Sequence, residues 1–216
     1  MQITVREPGS ALTHSIAMIM ALIAAAPLLE KTALSSSGRS MLAMCIFIGS
    51  MVLLYAASTT YHSVNVSGNR LELFKKIDHM MVFVLIAGTY TPVCMIILSG
   101  RIGFTLLTVV WGIALLGILI KAFWINCPKW FSSITYISMG WVCIFVIGQL
   151  WSSLPHAAFG WLLGGGILYT IGGIIYALKL SIFNEKHKFF GSHEIFHLFV
   201  MGGSVCHFIL MYVFVA

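Results

Sequence analysis

The stretch Ser152-Ser-Leu-Pro-His156 lies inside the longest uncharged run of the chain, between Lys129 and Lys179. Its reading decides the fold. A helix needs only about 20 apolar residues to cross the hydrocarbon of a bilayer, and this run is too long for one helix. Read as a break, SSLPH divides the run into two crossings, because its proline lacks the N–H that a continuing helix requires. Outward from there, charges punctuate the chain in the same way. None falls between Glu7 and Glu30, Arg39 and Arg70, Asp78 and Arg101, or Arg101 and Lys121, and a last apolar run follows Glu194. Seven helices are expected, near residues 10–29, 40–62, 78–99, 102–122, 131–151, 157–178 and 193–214. The fold class is an all-α membrane protein: a seven-transmembrane helix bundle in which one domain uses residues 1–216.

Composition agrees. Of 216 residues, 60% are hydrophobic and only 8% charged, against roughly 25% charged in a soluble domain. The chain lacks the charge to cover a water-exposed surface, so its solvent is lipid. Its five cysteines are odd in number and mostly sit in apolar runs, which reads as small buried side chains and not as a disulfide framework. The net charge of +6 is confined to short breaks between apolar runs. That placement argues against a nucleic-acid partner and for anionic headgroups, with membrane lipids as the partners.

The first apolar run is read as a span and not as a cleaved leader. Arg6 is the only basic residue upstream, Glu7 follows it, and the run is long for a signal. With the N-terminus inside, the inner segments carry Arg6, Arg70, Lys75, Lys76, Lys121, Lys129, Lys179, Lys186 and Lys188, and the outer ones Lys31, Arg39 and Arg101. Basic residues favour the cytoplasmic side, so the N-terminus is expected in the cytoplasm and the C-terminus outside.

The helix count also sorts the polar residues. The starts of helices 1, 3 and 7 share a side with the end of helix 2, and there sit Glu7 and His14, Asp78 and His79, His193 and His197, and Ser58 and His62. Histidines four apart on a helix share one face, so His193 and His197 can offer nitrogen to one ion. If helices 2 and 7 are neighbours, His62 supplies a third. Three imidazoles and an open position make the tetrahedral arrangement of a catalytic zinc site. Asp78 can hold a water or orient a ligand imidazole. The bland reading is that each histidine near the interface simply faces water. The convergence of four helix ends, with ionisable groups costly in membrane helices, favours the metal.

The stretch His193-Glu-Ile-Phe-His197 also matches H-E-x-x-H, in which two histidines bind zinc and the glutamate is the base of a metalloprotease. That alternative leaves Asp78 and Ser58 without roles. The motifs STTYHS at 58–63, DHMMVFVLIAGTYTP at 78–92 and HEIFHLFVMGGSVCHF at 193–208, with EPGSALTH at 7–14, resemble the haemolysin III family of bacterial membrane proteins. That family belongs with the progestin and adipoQ receptors, and is more distantly similar to alkaline ceramidases. The resemblance spans nearly the whole chain. It implies seven helices with a cytoplasmic N-terminus in the bacterial inner membrane. It implies Zn2+ held by His62, His193 and His197, with Asp78 acting through the metal's water and Ser58 lining the site. In that family the position of Glu194 need not be acidic, so Glu194 is expected as an interfacial side chain or, at most, a supporting one.

Other residues carry smaller expectations. His207 lies ten residues past His197, about 15 Å along the helix, too far for the same ion, and is expected as an interhelical hydrogen-bonding group. Glu7 and His14 either brace the site or cap helix 1 and meet headgroups. Gly88-Thr-Tyr-Thr-Pro92 is expected to kink helix 3, and the glycines of helices 6 and 7 to allow close approach. His156 is expected in solvent at the opposite surface, and His187 with Lys186 and Lys188 against headgroups. Trp124, Trp130, Trp151 and Trp161 fall near span ends, as interfacial anchors do.

Three functions are compatible with these residues. The first is a zinc-dependent hydrolase of a lipid amide or ester, with Asp78 and Ser58 as catalytic groups. The second is a non-enzymatic, receptor-like regulator in which zinc is structural. The third is a pore, as the family's name suggests; no helix carries the charged stripe of a wide aqueous channel.

Overall fold

In hydrocarbon no water is present to satisfy backbone N–H and C=O groups, so a chain of apolar runs has to satisfy them internally, as helices. The computed structural model describes residues 5–35, 37–98, 100–178 and 189–216, which are almost wholly helical and contain no strand. Seven helices are long and apolar enough to cross a membrane: α1 (Pro8–Leu34), α2 (Gly38–Ser63), α3 (Gly68–Leu98), α4 (Gly100–Phe123), α5 (Lys129–Ser153), α6 (His156–Leu178) and α7 (Ser192–Val215). This is a multi-pass membrane protein. The SSLPH stretch does break the long run: α5 ends at Ser153, Leu154 is extended at φ −111° and ψ 141°, and α6 begins at His156. Steric conflict with the ring of Pro155 keeps the residue before it out of the helical region. The expected patch of Lys186, His187 and Lys188 lies outside the described residues.

One boundary differs from expectation. Helix α3 begins at Gly68, not near residue 78. Its first turns carry Arg70, Glu72, Lys75 and Lys76, and Lys76 pairs with Glu72 one turn back at 2.8 Å. Charge ends a hydrophobic run but does not end a helix, which continues into water on i,i+4 pairs. Asp78 therefore lies in the third turn of α3, held on a preformed rigid element.

Three helices depart from α geometry, and in α7 the departure is a π-helical end, Leu210–Val215. After Pro92, α3 continues as a π-helix over Val93–Leu98, and this is the form the expected irregularity at Gly88–Pro92 takes. Pro92 cannot donate to the carbonyl four residues back. Helix α5 passes through a 3-10 segment, Trp141–Val146, between α-helical Lys129–Gly140 and Ile147–Ser153. A neighbour meets the displaced backbone groups: the Tyr90 hydroxyl donates to the Gly140 carbonyl at 2.6 Å and accepts from the Cys143 N–H at 3.0 Å.

Packing inverts the pattern of a soluble bundle. On α1, Leu12, Ile16, Ile19 and Ile23 are exposed, while Ser10, His14, Ala17 and Ala21 are buried. Both sets recur at helical spacing, with the apolar stripe facing lipid and the small and polar stripe facing the bundle. Helix α1 packs on α2 and α7, α2 on α3, α3 on α4, and α5 and α6 complete the ring to α7. One core cluster centres on Met44, Phe47 and Tyr55 of α2, and another on Phe83, Val110, Ala114 and Met139. Close approach of α3 and α4 depends on Gly117, where a Cβ would meet the Phe83 ring at 2.2 Å. Trp124, Trp130, Trp151 and Trp161 are exposed at span ends, and His156 is exposed and stacked on Trp151.

Candidate metal centre

The last turn of α2 and the first turns of α1 and α7 meet at one end of the bundle, beside the third turn of α3. On α7, the rings of His193 and His197 lie 4.5 Å apart, because four residues advance the helix by just over one turn. The ring of His62 stands 5.1 Å from the first and 5.2 Å from the second. One ligand atom from each of the three lies within 4.8 Å of the others, a grouping able to hold a metal ion. His62 and His197 are only 2% and 1% exposed.

The donor geometry fits a metal. The Nε2 atoms of His62 and His193 are 3.4 Å apart. Two ligands on a tetrahedral zinc with bonds of about 2.0–2.1 Å stand at about that separation. On two of the three histidines the other ring nitrogen is fixed from outside, whereas Nδ1 of His193 has no hydrogen-bond partner among the described residues. Nδ1 of His62 bonds the Glu7 carboxylate, which only accepts. Nδ1 of His197 lies 3.0 Å from the Thr13 hydroxyl, which has its own acceptors in the carbonyls of Gly9 and Ser10 at 3.1 and 3.0 Å. On His62 and His197, Nδ1 therefore carries the proton, and Nε2 presents its lone pair to the cluster. Second partners of this kind set the tautomer and raise the basicity of metal-ligating histidines.

Helix α1 thus braces the site, settling the two readings of Glu7. The Glu7 N–H also donates to the His62 carbonyl at 3.0 Å, and the Arg6 guanidinium lies over the Tyr61 ring at 4.2 Å. The hydrogen bond from His62 holds the Glu7 carboxyl below the usual carboxylate range. His14 does not cap the helix. It is buried and stacked on His197, with ring centroids at 3.6 Å, and neither nitrogen has a hydrogen-bond partner among the described residues. Glu194 turns away to the N-terminus of α7, accepting from the Ser10 hydroxyl and, at 2.7 Å, from the Gly191 N–H. Its carboxylate ties α7 to α1 as a helix cap.

The cluster opens on a cavity of about 170 Å³, with Ser58, Asp78, His14, His193 and His197 among the lining at its polar end. Ser58 is buried one turn before His62, and Asp78 is 13% exposed, 3.4 Å from His79 Nδ1. Beyond them the walls are mainly apolar, with Val82, Leu85, Val93, Leu150, Leu162 and Val200, and Thr89, Ser133 and Thr170 also line the cavity. Far down the cavity stands His207. Contrary to expectation, it makes no interhelical hydrogen bond among the described residues: its ring stacks on Tyr169 at 5.4 Å, and its Nδ1 is left without a partner there. Sequence reasoning missed Thr13, whose one legible signal is that it shares a face of α1 with Ser10, three residues before it.

A family model described as haemolysin-III related matches residues 2–208. The hemolysin-3 homolog of Bacillus subtilis (strain 168) is 39% identical over 202 residues, covering 94% of this chain and 91% of that protein. Hemolysin-3 of Bacillus cereus is 37% identical over 214 residues, covering 98% of this chain and 94% of its own length. The similarity to an adiponectin receptor protein of Drosophila melanogaster is local, 37% over 60 residues, or 26% of this chain and 14% of the receptor.

Proposed function

Because this chain belongs to the haemolysin-III related family of membrane proteins, we propose that His62, His193 and His197 hold zinc, and that the site hydrolyses a lipid amide or ester. The observation that carries this reading is the histidine cluster opening on a long apolar cavity that Asp78 and Ser58 also line. When bound, zinc supplies Lewis acidity, polarising a carbonyl and acidifying water. The chain's own groups do the rest. Asp78 orients a water and takes its proton, acting as general base. The Ser58 hydroxyl donates to the developing oxyanion. The apolar walls bind an acyl chain and exclude bulk water, leaving the linkage between chain and headgroup at the polar end. With nine basic residues at or between the helix ends of one side and three on the other, that end faces the cytoplasm.

A receptor-like regulator with structural zinc is the second reading, favoured by the way Glu7 and Thr13 tie the cluster to α1. The relatives' names speak of haemolysis, but the acidic residues and most of the histidines described here lie at the helix ends, and no charged stripe lines a crossing. The test is turnover of a fluorescent ceramide or lysophospholipid by the purified protein in nanodiscs. His62→Ala and Asp78→Asn are expected to lose at least 100-fold in rate while keeping the helical content, with Asp78→Asn retaining its metal. Unchanged turnover in both variants would rule out the hydrolase.

A further inference from the structure

The far end of the cavity holds a polar group that the proposed reaction leaves without a task. His207 is 5% exposed and lines the cavity. It sits ten residues beyond His197 on α7, about 15 Å deeper into the bundle. Helix α6 covers the ring through two residues one turn apart: Tyr169 stacks on it, and the backbone closes over it at Gly165. A Cβ at Gly165 would stand 2.6, 2.8 and 2.9 Å from Nε2, Cδ2 and Cε1. That near-equal spacing puts α6 over a face of the ring and not beyond its edge.

The neighbouring polar groups satisfy one another and leave the imidazole out. Tyr55 donates to the Ser204 hydroxyl at 2.6 Å, and the Tyr169 hydroxyl lies 2.9 Å from the same oxygen. His207 Nδ1 finds no partner among the described residues. A neutral imidazole carries one donor and one acceptor, and burying its Nδ1 unpaired in a membrane interior is costly. A group retained at that cost, in the wall of a ligand cavity, is suited to a ligand that pairs with it.

We propose that His207 forms a deep polar subsite that recognises a hydroxyl in the middle of a lipid acyl chain, so that the cavity prefers a hydroxylated chain to a plain one. The inference rests on the reading of the cavity as an acyl-chain site. The apolar stretch between the metal cluster and His207 accepts the methylenes, and the hydroxyl, both donor and acceptor, pairs with the imidazole edge whichever tautomer is present. Its distance from the cluster, about ten residues of helix rise, makes the preference depend on where along the chain the hydroxyl falls.

The experiment compares ricinoleate with oleate, which differ only by a mid-chain hydroxyl, in displacing a fluorescent fatty acid from the full-length, zinc-loaded protein in nanodiscs. Wild type is expected to bind ricinoleate about tenfold tighter, the size of one buried hydrogen bond. His207→Leu should level the two by weakening ricinoleate alone, and His207→Gln, which keeps a donor and an acceptor, should retain part of the preference. Equal affinities in wild type overturn the subsite and leave the acyl-chain cavity standing, and this comparison holds even if His207→Leu fails to fold. If neither fatty acid displaces the probe, the cavity reading falls, and the subsite with it.

Discussion

At the scale of single residues, the site is organised by what touches the far side of two of its imidazoles. His62 and His197 are oriented by Glu7, just before α1, and by Thr13 on α1, a helix that contributes no histidine to the cluster. Glu7→Gln replaces a charged acceptor with a neutral amide that can present the wrong group to Nδ1. Zinc affinity is expected to fall about 10- to 100-fold, measured by competition with a chelating dye. Glu194→Gln is the matched control: its carboxylate caps α7 and contacts Ser10, so metal affinity should stay near wild type. A loss at Glu194 equal to that at Glu7 would show that the H-E-x-x-H glutamate serves the metal after all.

At the scale of elements, the irregular segments lie in the helices that wall the cavity. Helix α3 changes to π geometry after Pro92, and α5 passes through its 3-10 segment where Tyr90 reaches across to Gly140 and Cys143. Such segments tolerate lipid depth because a packed neighbour, not lipid, meets the displaced backbone groups. Close helix packing is seen where α3 meets α4, and Gly117 offers a test of it. Gly117→Ala places a methyl at 2.2 Å from the Phe83 ring, which cannot move without disturbing the Met139 and Val110 cluster. A loss of about 1–3 kcal/mol is expected for this overpacking, read as a lower midpoint in denaturant with metal content unchanged. Unaltered stability would mean that the two helices separate freely.

At the scale of the whole molecule, one ion is asked to join α2 and α7 next to the place where α1 closes the ring. Helices α1, α2 and α7 also share a large apolar core around Met44, Phe47 and Tyr55, so the bundle does not depend on the metal alone. Chelation is expected to abolish lipid turnover while the circular dichroism spectrum stays helical and the melting point falls only modestly. A melt that collapses on chelation, with no turnover at any zinc concentration, would favour the receptor-like regulator with a structural ion.

The fold was legible in the amino-acid sequence because a bilayer imposes a one-dimensional rule. Crossing it takes a fixed number of apolar residues, and one break at SSLPH sets the count at seven. The count alone placed His62, Asp78, His193 and His197 at one depth, because alternate crossings share a side, and i,i+4 spacing put two histidines on one face. What lay beyond that rule was decided by tertiary packing. The start of α3 was misplaced because charge marks the edge of the membrane and not the end of a helix. Thr13 and the stacking of His14 were invisible because they depend on how α1 rotates against α7. The unpartnered state of His207 was equally hidden, since whether a buried imidazole finds a partner is a matter of a few ångströms between helices, a distance that no local pattern along the chain encodes.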